Sequence, residues 1–144
     1  MRIQVIVTEL NHDELVDILS TALYGCNYLS CDWEDAVYDK IPEGERIGDC
    51  YEDKAADTLL HGGYLKIVDY EADGELYTKR NHKIGPHLDK AYRGVYYITL
   101  EDILWACSSE RGYKLLTETL SGEGDYFTAN NLLQIAMFGE EIYG

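Results

Sequence analysis

The chain is poor in proline, in phenylalanine and in positive charge. Its 144 residues include two prolines and two phenylalanines, and 12 lysines and arginines stand against 27 aspartates and glutamates. A net charge of −15 repels nucleic acid and anionic membrane surfaces, so we expect neither as a direct partner. No apolar run approaches the roughly 18 residues of a membrane span. The first residues lack the apolar core of a signal peptide, and we therefore expect a cytoplasmic protein.

Cysteine is also scarce. The four cysteines are irregularly spaced, which does not fit a disulfide framework and favours free thiols in a reducing compartment. A zinc site built from Cys26, Cys31, Cys50 and His61 is an alternative, although the closely spaced cysteine pair of strong zinc motifs is missing. We predict no cofactor and no metal.

Hydrophobic periodicity and capping residues predict a single α+β domain over residues 1–144, with a small antiparallel or mixed sheet and about four helices. Alternation predicts strands at residues 2–8, 28–33 and 94–98, and a β-hairpin that pairs residues 64–70 with residues 75–79.

Residues that favour helix ends mark three of the predicted helices. Asn11 caps the first, and Thr99 begins the third with Asp102 in a capping box. The last helix begins at Asp125 or Thr128, and Gly139 ends it. The second predicted helix is short, covers residues around 55–60 and lies between the first and the third.

The charge is distributed unevenly along the chain. Residues 32–57 carry ten acids and three bases and are net −7, whereas residues 79–93 are net +4. The basic stretch either binds a compact anionic ligand or pairs with the acidic stretch. Carboxylates interleaved with aromatic rings can also imitate a nucleic-acid backbone and occupy a basic groove on a partner. The acids predicted for such a partner-binding surface are Asp32, Glu34, Asp35, Asp39, Glu43 and Glu45.

Catalytic motifs are missing: the chain has no nucleophile elbow, P-loop, dinucleotide fingerprint or zinc-protease helix. His82 and His87 with Asp89 offer acid–base chemistry, but they surround Gly85 and Pro86 in a predicted loop, which gives no rigid geometry. A small nucleotide hydrolase is therefore only an alternative, and we predict no catalytic residue.

Four segments, taken in order, resemble a largely uncharacterised family of small proteins encoded by tailed phages and prophages. The family's usual pieces are an "ALEGGxNYW"-like turn, a "G-x-L-x-V-x-D" strand, an "LT-x-E-x-I" helix start and a "D-x-x-x-Q-x-A-x-x-GE-x-VYG" ending. The matching segments here are residues 21–28, 62–69, 98–103 and 134–144. Departures from the pattern are Cys26 for a glycine, Leu29 for an aromatic residue and Asn130 for an aspartate.

The resemblance implies a viral accessory protein that acts inside an infected bacterium, where such proteins often counter host defences. Our first hypothesis is a non-enzymatic, homo-oligomeric protein that sequesters a nucleotide-derived signal. Tyrosine and tryptophan rings would stack on a base, an amide would read its edge, and basic side chains would bind the phosphates. The residues predicted to bind such a ligand are Asn27, Tyr28, Trp33, Arg80, Lys83 and Arg93.

The second hypothesis is an acidic nucleic-acid mimic. It would inhibit a basic host defence protein, such as a CRISPR effector, through residues 32–57.

Overall fold

The computed structural model describes residues 5–80 and 84–143. Within these residues the helices are α1 (His12–Leu23), α2 (Asp35–Tyr38), α3 (Tyr51–Leu60), α4 (Leu100–Cys107), α5 (Glu110–Leu120) and α6 (Tyr126–Phe138), with one 3₁₀ turn at Glu43–Glu45. The strands in the same residues are β1 (Leu29–Trp33), β2 (Tyr64–Asp69), β3 (His87–Leu88) and β4 (Gly94–Thr99). The predicted α+β class is confirmed.

The described strands form one antiparallel sheet in the order β1-β2-β4-β3. Trp33 pairs with Leu65, which pairs on its other side with Ile98. These residues mark one end of the sheet, called here the Thr99 end. At the opposite end, called here the Gly94 end, Asp69 lies between Leu29 and Gly94.

The predicted caps form as expected. The Asn11 side chain accepts a hydrogen bond from the backbone N–H of Glu14 at 2.8 Å, and Thr99 and Asp102 form a capping box. Asp125 caps α6, and Gly139 ends it at φ 87°, a left-handed conformation that glycine adopts without a Cβ penalty. These local signals fix the helix ends.

The helices cover one face of the sheet. Alternation along the strands places Cys31, Ile67 and Tyr96 on this inner face, and all three belong to the buried core that the helices share. The outer face is buried at Val95 near the Gly94 end but more open near the Thr99 end, where Lys66 is exposed. An antiparallel sheet with one uncovered face is a common architecture, and the uncovered face is available for binding.

The predicted hairpin between residues 64–70 and 75–79 is wrong. Both edges of β2 are already paired, one with β1 and the other with β4, so no edge remains for residues 75–79. Those residues instead cross to α6, where the N–H of Lys79 bonds to the carbonyl of Phe138 at 2.6 Å.

The predicted strand at residues 2–8 is also not found in its described part, residues 5–8. There the N–H of Val7 bonds to Ser108 Oγ at 2.9 Å, a side-chain contact that replaces a strand partner. Residues 2–4 lie outside the described part of the chain. The sheet gains its fourth strand from β3, which lies in the segment predicted to be a loop.

Candidate binding surface

The structure does not gather the predicted ligand-binding residues into one site. Asn27 and Tyr28 precede β1 and lie with Arg93 at the Gly94 end of the sheet. Trp33 ends β1 at the Thr99 end, and Arg80 contacts the start of α4 there. Lys83 lies outside the described residues.

Tyr28 belongs to a polar network at the Gly94 end rather than to an open stacking surface. Its hydroxyl donates to Asn130 Oδ1 and accepts from Gln134 Nε2 at 3.3 Å. Its ring packs edge-on against Tyr143 with centroids 5.1 Å apart. Burial raises the pKa of the Tyr28 hydroxyl above its usual range.

The network continues into residues of the segments that resemble the phage family, called here the family-like motifs. Gln134 Oε1 accepts the N–H groups of Ile142 and Tyr143 at 2.9 and 2.8 Å, and the Tyr143 hydroxyl donates to Asp69 at 2.6 Å. Asn130 Nδ2 donates to the carbonyl of Ala22 at 3.1 Å. The motif residues therefore fasten the tail after Gly139 to α6 and β2, which is a structural role.

Three cations of the basic stretch pair with acids outside residues 32–57. Lys79 pairs with Glu140, and Arg80 pairs with Asp102 at 2.9 Å. Arg93 contacts Asp89 at 2.6 and 2.7 Å, and this ion pair lowers the pKa of the Asp89 carboxyl. Among the described residues, none of these three cations pairs with the acidic stretch, so the alternative in which the two stretches neutralise each other is not seen there.

The acidic stretch, in contrast, keeps most of its predicted partner-binding carboxylates free of cations. Within the described residues, only Glu45 has one within 4.0 Å, namely His61 at that distance. Asp32 accepts the Tyr51 hydroxyl at 3.1 Å, and Glu34 accepts the N–H of Tyr64 at 3.3 Å. The predicted set follows the chain along the end of β1, through α2 and into the 3₁₀ turn: Asp32, Glu34, Asp35, Asp39, Glu43 and Glu45.

Two depressions flank a tyrosine pair on the outer face at the Thr99 end. Tyr64 and Tyr97 contact each other edge-to-face with centroids 5.0 Å apart, and His87 stacks on Tyr97 at 5.2 Å. A depression of ≈ 490 Å³ lies on the β1 side, between Tyr64 and the acids of β1 and α2. The second, of ≈ 430 Å³, lies on the β4 side between Tyr97 and Arg80. Together they form an open surface that is acidic at its β1 side.

Trp33 lines the β1-side depression but does not present a free stacking face there. Its ring packs edge-on against Tyr51 at 4.8 Å and against Tyr38 at 6.1 Å, with the ammonium group of Lys54 5.6 Å from its centroid. Its indole nitrogen is buried without a hydrogen-bond partner in the part of the chain that the structure describes.

Sequence reasoning missed a buried polar cluster centred on His12. Its Nε2 lies 2.8 Å from Asp53 Oδ1, and its Nδ1 lies 3.2 Å from Asp57 Oδ1. Asp57 also accepts the N–H of Ile47 at 2.9 Å. The two aspartates are four residues apart and share one face of α3, which is the signal that sequence could have given. The cluster fastens α3 and the preceding loop to α1.

The residues named for a zinc site or for a hydrolase do not form an assembled site in the described part of the chain. Among the described residues, no group of three or more histidine, cysteine, aspartate or glutamate side chains is arranged to bind a metal, and this covers Cys26, Cys31, Cys50 and His61. His87 stacks on Tyr97, while the carboxylate of Asp89 is engaged by Arg93. His82 lies outside the described residues.

Comparison of the chain with protein-family models, with curated proteins and with solved structures gives no match. In residues 5–80 and 84–143, no helix combines the length and apolar content that crossing a bilayer requires.

Proposed function

We propose that this protein is a phage or prophage accessory protein that counters host defence by binding a protein partner with a basic surface. The observation that carries the proposal is the unequal pairing of charges. Three cations of the basic stretch form ion pairs with other acids of the chain, whereas Asp32, Asp35 and Asp39 have no cation within 4.0 Å among the described residues.

The outer face provides the other parts that a protein interface needs. Tyrosine is enriched at the centres of interfaces, and charged residues belong at their rims. Tyr64 and Tyr97 occupy the centre of the open surface, and the acids of β1 and α2 border it. A basic partner would be attracted by the acidic rim and would cover the rings.

Sequestration of a nucleotide-derived signal receives less support. It requires Tyr28 and Trp33 beside Arg80 and Arg93, yet these residues are divided between the two ends of the sheet. The expected homo-oligomer stays a prediction.

The test is rescue of phage plating in bacterial strains that each carry one defined defence system. We expect the protein to restore plating against at least one system. The triple variant Asp32→Lys, Asp35→Lys, Asp39→Lys should lose this rescue. A control with the same change of charge, Asp73→Lys, Glu75→Lys and Glu123→Lys, alters three exposed acids away from the surface and should retain it.

Binding of the defence protein identified in that screen should then weaken steeply with added salt, because exposed charges attract each other less at high ionic strength. Equal loss of rescue in the two triple variants, or binding that is insensitive to salt, would contradict the proposal.

A further inference from the structure

Arg80 uses only a small part of its hydrogen-bonding capacity. A guanidinium group has five N–H donors. One Nη atom of Arg80 donates to Asp102 Oδ1 at 2.9 Å, and Nε is buried without an acceptor among the described residues. Because the pair is formed through one nitrogen, it lacks the two parallel bonds of a strong arginine–carboxylate pair.

The partner carboxylate is itself shared. Asp102 Oδ2 accepts the N–H of Thr99 at 2.9 Å and the Thr99 hydroxyl at 3.2 Å, because Asp102 belongs to the capping box of α4. The guanidinium lies over the ring of Trp105, with its central carbon 3.8 Å from the ring centroid. Arg80 is therefore fixed in place by stacking and by one hydrogen bond, and its charge is incompletely satisfied.

Arg80 lines the β4-side depression, and part of the remaining wall is apolar. Leu59, Leu60 and Leu100 line it together with Ile84, which is 52% exposed. Its volume of ≈ 430 Å³ lies within the range of small-molecule sites in proteins. An apolar wall beside an incompletely paired cation suits a ligand that has an apolar body and an anionic group.

We infer that this depression binds a small molecule that has an apolar body and one anionic oxygen group, either a carboxylate or a phosphate. The anionic group contacts Arg80, and the apolar body lies against Leu60 and Ile84. Glu101 also lines the depression, which disfavours ligands with several negative charges. The net charge of −15 does not prevent this, because charges further than about 8 Å away are largely screened at physiological ionic strength. The inference is independent of the proposed protein partner.

The two tryptophans of the chain allow a direct test by NMR. In a ¹⁵N spectrum, the indole signal of Trp105 reports on the Arg80 side of the depression, and that of Trp33 serves as an internal control. Phenyl phosphate and benzoate are the probes, and benzyl alcohol is the uncharged control. We expect at least one of the two anions to shift the Trp105 signal saturably, and their comparison tells phosphate from carboxylate recognition.

Variants distinguish the anion contact from nonspecific binding. Arg80→Gln should weaken binding of the better probe at least about tenfold, the loss expected for a hydrogen bond to a charged group. Arg93→Gln removes a cation at the Gly94 end and should leave binding unchanged. Ile84→Asp places a carboxylate at an exposed wall and should abolish binding without affecting the core, which covers the case in which Arg80→Gln perturbs folding.

Unsaturable shifts, equal shifts of the two indole signals, or unchanged binding by both Arg80→Gln and Ile84→Asp would overturn the inference. Binding of benzyl alcohol as tight as that of the anions would do the same, because it would show an apolar depression without anion recognition.

Discussion

Replacing His12 with alanine is expected to cause a large loss of stability. The imidazole lies between Asp53 and Asp57, at 2.8 and 3.2 Å, and Asp57 is 1% exposed. Each ring nitrogen faces a carboxylate oxygen, so the imidazole joins the two aspartates. Removing the imidazole leaves the Asp57 carboxylate buried with the N–H of Ile47 as a remaining donor. Breaking a buried pair in this way costs about 3–5 kcal/mol.

Urea denaturation followed by circular dichroism would measure the change in the free energy of unfolding. A loss of this size is a large fraction of the roughly 5–15 kcal/mol that stabilises a typical domain. The comparison variant is His61→Ala: that imidazole is 36% exposed, lies 4.0 Å from Glu45 and contacts the backbone carbonyl of Asp57 through Nδ1 at 2.9 Å. Exposed pairs contribute little, so we expect a loss of about 1 kcal/mol or less.

A double variant separates lost charge compensation from lost packing. Adding Asp57→Asn to His12→Ala removes the uncompensated charge but keeps an oxygen that accepts the N–H of Ile47. The double variant should therefore be more stable than His12→Ala alone by about 1–3 kcal/mol. If Asp57→Asn instead destabilised His12→Ala further, or if His12→Ala cost less than about 1 kcal/mol, the electrostatic reasoning would be refuted.

Three other predictions concern the pH dependence of stability, the glycine that ends α6 and the reactivity of the cysteines. Burial raises the pKa of Asp69 above 3.8, so the folded state binds its proton more tightly than the unfolded chain does, and stability falls as the pH rises through that raised pKa. In urea titrations between about pH 4 and pH 7, Asp69→Asn should show a smaller fall than the unmodified protein. Gly139→Ala, at φ 87°, should lower the free energy of unfolding by about 1–2 kcal/mol, and an unchanged melting temperature would contradict this. In the native protein, iodoacetamide should label exposed Cys50 before buried Cys31 and Cys107, whose thiol pKa values burial raises to about 12; peptide mass spectrometry would detect the reverse order.

Sequence reasoning succeeded where the deciding interactions are local. The caps at Asn11 and Thr99 and the glycine stop at Gly139 depend on residues within about four positions, so the sequence displays them directly. The hairpin failed because strand pairing is a choice among distant partners. Residues 64–69 pair with residues 29–33 and 94–99, and neither pairing is visible in the pattern of any one strand.

The candidate site was harder to predict from the sequence for the same reason. The contact between Arg80 and Asp102 joins residues 22 positions apart, and the contact between His12 and Asp57 joins residues 45 positions apart. Composition identified a basic stretch and an acidic stretch, but it could not tell which carboxylates would form ion pairs with the cations. That pairing changes the functional interpretation, because a phosphate clamp needs several cations with free donors at one place, and these cations are paired and divided between the two ends of the sheet.

The distribution of the family-like motifs argues that they specify the fold and leave recognition to other residues. Tyr28, Asp69, Gln134 and Tyr143 come from three of the four resembling segments, Asn130 stands where the family's ending has an aspartate, and all contribute to the polar network at the Gly94 end. A network with so many mutual hydrogen bonds tolerates little change and tells little about a partner. The acids at the end of β1 and in α2 lie at the opposite end and outside these motifs, whereas the walls of the two depressions take residues both from the motifs and from outside them. A protein that shares the motifs is therefore expected to share the fastened tail and the inner face, because these depend on the motif residues themselves.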